Sequence, residues 1–223
     1  MSAERPRSFW RGFDGLKPGP FRDQIQTVLS TANFQQLQEA ALIARTRRDK
    51  TADSDLSCTI DLPSFTYGFN NVVLGVSFSD HVYWVARIQH IAVDESKARR
   101  NAANLLSEIT TMRTIKDLTS IPVPQVFAYN VSPSNEVGYP YILMEHLPGR
   151  VLGGTIASQV PPEYLRKVAK QVAEVLFQLH GLTFDRLGRL WCGENGDGPL
   201  EMVPPGLLGP ENSCTPYHCG SSP

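Results

Sequence analysis

Two charged side chains stand where phosphate chemistry can use them. Arg87 lies in Trp84-Val85-Ala86-Arg87-Ile88, a run whose β-branched and aromatic content reads as a strand. Strand alternation puts Tyr83, Val85 and Arg87 on one face and Val82, Trp84, Ala86 and Ile88 on the other. A cation two residues after a small apolar side chain can reach the α- and β-phosphates of a nucleotide while Val85 packs on its base. Glu108, in Leu105-Leu106-Ser107-Glu108-Ile109-Thr110-Thr111-Met112, flanks the apolar face of the helix that follows this strand. A carboxylate there can pair with the strand cation and hold it toward phosphate. Taken alone, Arg87 also reads as an edge-strand residue facing solvent, and Glu108 as half of a surface ion pair. Each functional assignment supports the other.

Two stretches of main chain complete the candidate constellation. Tyr139-Pro140-Tyr141-Ile142-Leu143-Met144-Glu145-His146-Leu147-Pro148-Gly149 is an apolar strand that runs into a Pro-Gly turn. A nucleobase edge offers one donor and one acceptor at fixed spacing, which backbone at such a crossing can match. The Glu145 carbonyl and Leu147 amide are the expected partners, with Val85, Leu143 and Met144 buried around the cleft. Phe65-Thr66-Tyr67-Gly68-Phe69-Asn70-Asn71-Val72 reads as a short turn between strands that could cover phosphates through its backbone, although one glycine is a weak phosphate-loop signal.

The elements that must position these groups show in the hydrophobic pattern. Residues 56–62, 71–78, 82–90, 123–130 and 139–146 are strand candidates, with a turn at Ser79-Asp80-His81 and a longer loop through Ser132 to Gly138. A helix over 95–118 carries Ala98, Ala102, Leu105, Ile109 and Met112 on one face, and Pro122 and Pro124 stop it from continuing. Ahead of the strands, Ile25, Val28 and Leu29 and then, after the cap Asn33, Leu37, Ala40, Ala41 and Ala44 follow helical spacing. The basic stretch Arg45, Arg47, Arg48 and Lys50 reads as a solvated helix end where cations suit the dipole. Ser8 to Pro20 reads as an arm rather than a packed element. A long helix starts at Pro161-Pro162-Glu163, carries a wide apolar face from Leu165 to Leu179 and ends at Gly181.

Bulk properties narrow the classes. The 223 residues, 41% hydrophobic and 19% charged, describe an ordinary soluble globular chain. A net charge of -1 gives no electrostatic reason to expect nucleic acid or an anionic membrane. No apolar run approaches the ~20 residues of a membrane helix, and the opening residues lack a signal peptide's apolar core. The expected location is cytoplasmic. Of Cys58, Cys192, Cys214 and Cys219, the last two with His218 lack the fourth ligand of a structural zinc site, and free thiols are the better reading.

The ordered set Gly68-Phe69-Asn70, Trp84-Val85-Ala86-Arg87-Ile88, Ser107-Glu108-Ile109-Thr110-Thr111-Met112, Thr119-Ser120-Ile121-Pro122-Val123-Pro124, Tyr141-Ile142-Leu143-Met144-Glu145 and Phe184-Asp185-Arg186-Leu187-Gly188-Arg189-Leu190 resembles the aminoglycoside phosphotransferase and choline kinase-like superfamily, its fungal members in particular. The resemblance covers about residues 55–191. It implies an α+β fold: a protein-kinase-like N-terminal lobe, with a five-stranded antiparallel sheet and one helix, followed by the start of a helical C-terminal lobe. It implies ATP with magnesium as donor and a small-molecule hydroxyl as acceptor. Nucleotide contacts then fall to Gly68, Asn70, Val85, Arg87, Glu108, Met144, Glu145 and Leu147. Arg87 takes the place of the usual lysine, a reasonable exchange because a guanidinium holds a carboxylate bidentately. The corresponding division is 1–54 arm and helices, 55–147 N-lobe, 148–191 hinge and start of the C-lobe, and 192–223 irregular tail.

Phosphoryl transfer in such enzymes also needs an Asp to orient the acceptor hydroxyl and an Asn and a second Asp for magnesium. His180-Gly181 is followed by Leu182, not Asp, and Asp185 and Asp197 lack the surrounding motif. No catalytic residue and no metal ligand is therefore assigned. The chain is expected to be the front part of a transferase, cut short, inactive by itself and binding ATP weakly or not at all, or a pseudokinase-type module that binds a protein.

Overall fold

The computed structural model describes residues 10, 12–49, 55–90, 95–149 (backbone alone over 95–99), 159–193, 198 and 200–203. Asp197, Cys214, His218, Cys219 and the side chain of Ala98 lie outside the described residues. Five runs rich in Val, Ile, Tyr and Phe form one antiparallel sheet: β1 (Cys58–Tyr67), β2 (Asn71–Phe78), β3 (Tyr83–Gln89), β4 (Val126–Asn130) and β5 (Tyr141–Glu145). Their spatial order is β1-β2-β3-β5-β4, which makes β3 the middle strand. Alternation decides the faces. Val72, Leu74 and Val76 of β2 are buried and sit opposite Ile88, Ala86 and Trp84 of β3.

β1 runs five residues beyond its expected end at 62. Pro63 interrupts the pattern there, and the register shifts between Asp61 and Phe65 before pairing resumes. An edge strand tolerates both proline and bulge, since no second neighbour needs the missing donor. The turn expected over 65–72 therefore shrinks to Gly68-Phe69-Asn70.

Two helices cover one face of this sheet. α1 (Pro20–Thr31) starts with proline at its first position, and α2 (Phe34–Arg48) is capped by Asn33, whose side chain accepts from the Gln36 amide at 3.3 Å. Ile25 and Val28 of α1 and Leu37 and Ala41 of α2 join Ile60, Leu74, Trp84, Ile88 and Leu143 in one core. From Gly12 onward, the described part of the segment ahead of α1 is packed rather than a free arm. Gly12 donates its amide to the Phe65 carbonyl at 2.9 Å, and Phe13 meets the Phe65 ring edge-to-face at 5.0 Å. Gly12 has φ +56, and a Cβ there would meet the Phe65 ring at 3.3 Å, so glycine suits the position twice over.

Arg45 corrects the expectation of a solvated helix end. It follows Leu37 and Ala41 at four-residue spacing and is buried. Its guanidinium donates to Asp49 at 3.2 Å and to Asp80, in the β2–β3 turn, at 2.7 Å. The turn itself is fixed locally. His81 has φ +65, and the Val82 amide donates to Asp80 Oδ1 at 3.3 Å. Arg48, one turn on, lies over the Phe127 ring at 4.7 Å.

The second half of the chain supplies α3 (Glu95–Leu118), α4 (Pro162–His180) and a small antiparallel pair, β6 (Arg189–Trp191) with β7 (Glu201–Val203). β7 corrects the expectation of an irregular tail from 192 onward; three-residue strands are too short to show alternation in a sequence. Leu105, Leu106 and Ile109 of α3 are buried. α4 has no buried residue, and Val172, Leu176 and Phe177 on it are exposed. The described residues fall into two compact units, one within Met1–Ala102 and Pro124–Pro148 and the other within Ala103–Val123 and Gly149–Pro223. The five-stranded antiparallel sheet with its helices is the α+β arrangement of a kinase-like N-terminal lobe.

Candidate functional site

β3 positions the cation. Across the ladders Val85 stands opposite Gly75 of β2 and Met144 of β5, and Arg87 stands opposite Val73 and Ile142. Residues paired across an antiparallel ladder share a face. Val85, Arg87, Ile142 and Met144 therefore lie together on the face turned away from the α1–α2 core. Val85 and Met144 are buried. Arg87 is half-buried, and its Nε and Nη2 atoms are shut off from solvent. β3 is central, so Arg87 is not the edge-strand residue of the bland alternative. Leu143, expected beside Met144 at the cleft, is buried on the opposite face instead. It pairs with Ala86 and joins the core under α1 and α2, as period-two alternation requires of adjacent residues.

β5 ends at Glu145, and residues 146–148 belong to no strand. The Glu145 amide donates to the Gln125 carbonyl at 2.8 Å, and the Glu145 carboxylate accepts from the Gln125 amide at 3.0 Å. This double link between the end of β5 and the approach to β4 has no signal in the sequence. Leu147 is exposed, and burial pulls the His146 imidazole below its ordinary pKa.

The β1–β2 turn is held at both ends. Gly68 donates its amide to the Asn71 carbonyl at 2.8 Å, and the Asn70 carbonyl accepts from the His90 amide at 2.9 Å. Gly68 and Asn70 are exposed, and at the tip Phe69 stacks toward Phe21 of α1 with centroids 6.3 Å apart. A Cβ on Gly68 would meet nothing within 4 Å, so packing within the chain does not demand glycine there. Glu108 is an exposed residue of α3, in the part of that helix that belongs to the second compact unit. Asp185 sits exposed after α4 with its carboxylate 3.8 Å from the neighbouring Arg186.

On the helix-covered side of the sheet a cavity of about 560 Å³ is lined by Arg45, Trp84, Phe127, Glu145 and His146 among others. Trp84 and Phe127 stack at 4.0 Å in its floor. Among the described residues, no three His, Cys, Asp or Glu side chains gather as metal ligands would.

Residues 73–199, from within β2 to beyond β6, match the phosphotransferase enzyme family. The chain belongs to this family. It is thereby a member of the aminoglycoside phosphotransferase and kinase-like superfamily, as the ordered motifs imply. Fungal relatives are similar to it. A subtelomeric hrmA-associated cluster protein of Aspergillus fumigatus is 31% identical over 114 residues, 50% of this chain and 22% of that protein. The altered inheritance of mitochondria protein 9 of Candida tropicalis is 31% identical over 105 residues, 45% of this chain and 17% of that protein. Its counterpart in Candida albicans is 25% identical over 187 residues, 81% of this chain and 30% of that protein. The chain thus spans less than a third of the length of these curated relatives.

Proposed function

We propose that this chain is the nucleotide-binding part of an ATP-dependent small-molecule phosphotransferase that acts on a hydroxyl. The observation that carries the reading is the common face of Val85, Arg87 and Met144, next to a β5 strand that stops at Glu145. Val85 and Met144 supply an apolar wall for a base, and the Glu145 carbonyl and Leu147 amide lie on the main chain that would meet its edge. Arg87 is the cation for the α- and β-phosphates, and Glu108 keeps only the carboxylate role that the family resemblance implies. Gly68 and Asn70 belong to the turn that would cover the phosphates. These residues fit the base and phosphates of ATP. Among the described residues no cluster of His, Cys, Asp or Glu side chains fits magnesium.

These 223 residues by themselves transfer no phosphoryl group in this reading. Catalysis of this reaction is nearly all positioning and electrostatic stabilisation, and removing one preorganised group typically costs ~10²–10³-fold in rate. The chain lacks the Asp-and-Asn loop altogether. A cytoplasmic location goes with the reading, and the mitochondrial address in the Candida relatives' name is the competing one. The alternative is a pseudokinase-type interaction module, favoured by the exposed Val172, Leu176 and Phe177 of α4.

The test is titration of the purified chain with ATP, with and without magnesium, for wild type and Arg87→Ala. Weak ATP binding at best is expected, which Arg87→Ala weakens at least ~10-fold further, without ADP release on adding aminoglycosides or choline. Wild-type binding that is absent, or indifferent to Arg87, sinks the nucleotide reading and leaves the interaction module. Magnesium-dependent turnover would overturn the claim of inactivity.

A further inference from the structure

We propose that Glu145 is a positioning residue for the nucleobase segment: its carboxylate accepts the Gln125 N–H that its own carbonyl would otherwise take, and so lets the sheet end where the linker begins. The inference rests on the nucleotide reading above. In a hydrogen-bonded antiparallel pair the two residues exchange both N–H···O=C bonds. Glu145 and Gln125 make the first half of that exchange, with the Glu145 amide donating to the Gln125 carbonyl at 2.8 Å. The second half is diverted. The Gln125 amide donates to Glu145 Oε2 at 3.0 Å.

The surroundings explain why a side chain serves here. The β4–β5 register slips between Val126 and Ala128, immediately after Gln125, so the regular ladder is already broken at this point. A half-buried amide still needs an acceptor. The carboxylate provides one, and a charged acceptor makes a stronger bond than a carbonyl would. Glu145 stands opposite Trp84 and lines the cavity on the helix-covered side, so its side chain lies away from the Val85 and Met144 face. It acts on a bound base through its own main chain, not by touching the ligand. Residues 146–148 then leave the sheet without having to pair with the approach to β4.

The experiment uses the full chain, isotopically labelled, as wild type, Glu145→Gln and Glu145→Ala. Scalar coupling across the hydrogen bond identifies the acceptor of the Gln125 ¹⁵N–H directly and needs no variant. Coupling to Glu145 ¹³Cδ is expected in wild type, and coupling to the backbone ¹³C′ of position 145 in Glu145→Ala. Adenosine, which carries no phosphate and so leaves Arg87 aside, is then titrated into each protein. Glu145→Gln keeps a side-chain acceptor and should bind within about 2-fold of wild type, whereas Glu145→Ala should bind about 10-fold more weakly. Wild-type coupling to the ¹³C′ of Glu145 overturns the proposal, as does a Glu145→Ala protein that shifts its coupling yet binds adenosine normally. A wild-type chain that binds no adenosine refutes the nucleotide reading and the positioning role together, while the coupling still reports the acceptor. The two failures are therefore distinguishable.

Discussion

Arg45→Met tests whether the C-terminal turn of α2 is a fastening or a solvated end. Methionine keeps the aliphatic length that packs against the sheet and removes the guanidinium. The wild-type side chain is 11% exposed and holds Asp80 at 2.7 Å and Asp49 at 3.2 Å, with those carboxylates 31% and 40% exposed. The Asp49 pair is an i,i+4 pair at a helix end and contributes about 0.3–0.5 kcal/mol. The Asp80 bond is charged, partly buried and links elements 35 residues apart, and such bonds contribute about 1.5–3 kcal/mol. The exposure of both carboxylates lets water compensate in part, so the loss should be about 2–3 kcal/mol. For a chain of this size that lowers the melting temperature by about 5–10 °C. Urea denaturation of Arg45→Met, Asp80→Asn and the double variant measures it. Asp80→Asn retains Oδ1 as acceptor for the Val82 amide, so the cycle isolates the charge pair, with an expected coupling of about 1.5–2 kcal/mol. A loss below about 0.5 kcal/mol for Arg45→Met, the cost of an ordinary surface substitution, would refute the fastening and restore the solvated helix end.

Four further outcomes follow from burial and backbone geometry. Gly68→Ala should leave the unfolding free energy unchanged or raise it by up to about 0.5 kcal/mol, since the site is open; undiminished ATP affinity in that variant would remove the turn from the phosphate site. Burial holds His90 below its ordinary 6.5, its ring nitrogens having no hydrogen-bond partner, and the same cause lowers His146. The unfolded chain therefore binds these protons first, so their contribution is complete above pH 6.5 and is lost as pH falls from there toward the folded-state values. The urea midpoint should decline over that window, less steeply in His90→Phe, and parallel profiles would discount His90. Partial burial pushes the Cys58 thiol up to about 12, so iodoacetamide should alkylate it far more slowly in the native chain than on unfolding, and equal rates at pH 8 would contradict the raised pKa. Leu176→Gln and Phe177→Gln, at positions 60% and 80% exposed, should reduce self-association seen by light scattering at a stability cost within about 0.5 kcal/mol; a large loss of stability would mean that the face is covered.

The fold was legible wherever the pattern is local. β2 and β3 are dense in β-branched and aromatic residues and meet at a turn whose Asp80 and His81 suit it chemically, so their extent and pairing follow from alternation. α3 and α4 show their periods over many turns. β1 was cut short because Pro63 reads as a stop, and only the edge position of the strand makes a bulged proline tolerable. The packing of Gly12 and Phe13 onto Phe65 is a contact over some fifty residues of sequence that no local pattern marks. β7 depends on a partner ten residues away and on nothing in its own three residues.

Arg87 was legible as a candidate because strand alternation is a strong rule, and the register extends the same rule to Met144 while moving Leu143 to the opposite face. Arg45 and Glu145 were not legible in their observed roles for a common reason. Each is a charged residue at the end of an element, where solvent exposure is the ordinary expectation. Whether such a residue faces water depends on what tertiary structure brings beside it: Asp80 beside Arg45, and the unpaired half of a broken ladder beside Glu145. A sequence displays the charge but not the backbone amide that needs it. The two cases also divide the labour around β5. Arg45 fastens α2 to the turn at the start of β3, while Glu145 closes the end of β5 against Gln125, opposite Trp84 at the start of β3. Both act from the helix-covered side, so the Val85 and Arg87 face is steadied without either charge being spent on it. The charges that shape the sheet, Arg45 and Glu145, sit on one side, and Arg87 sits on the other.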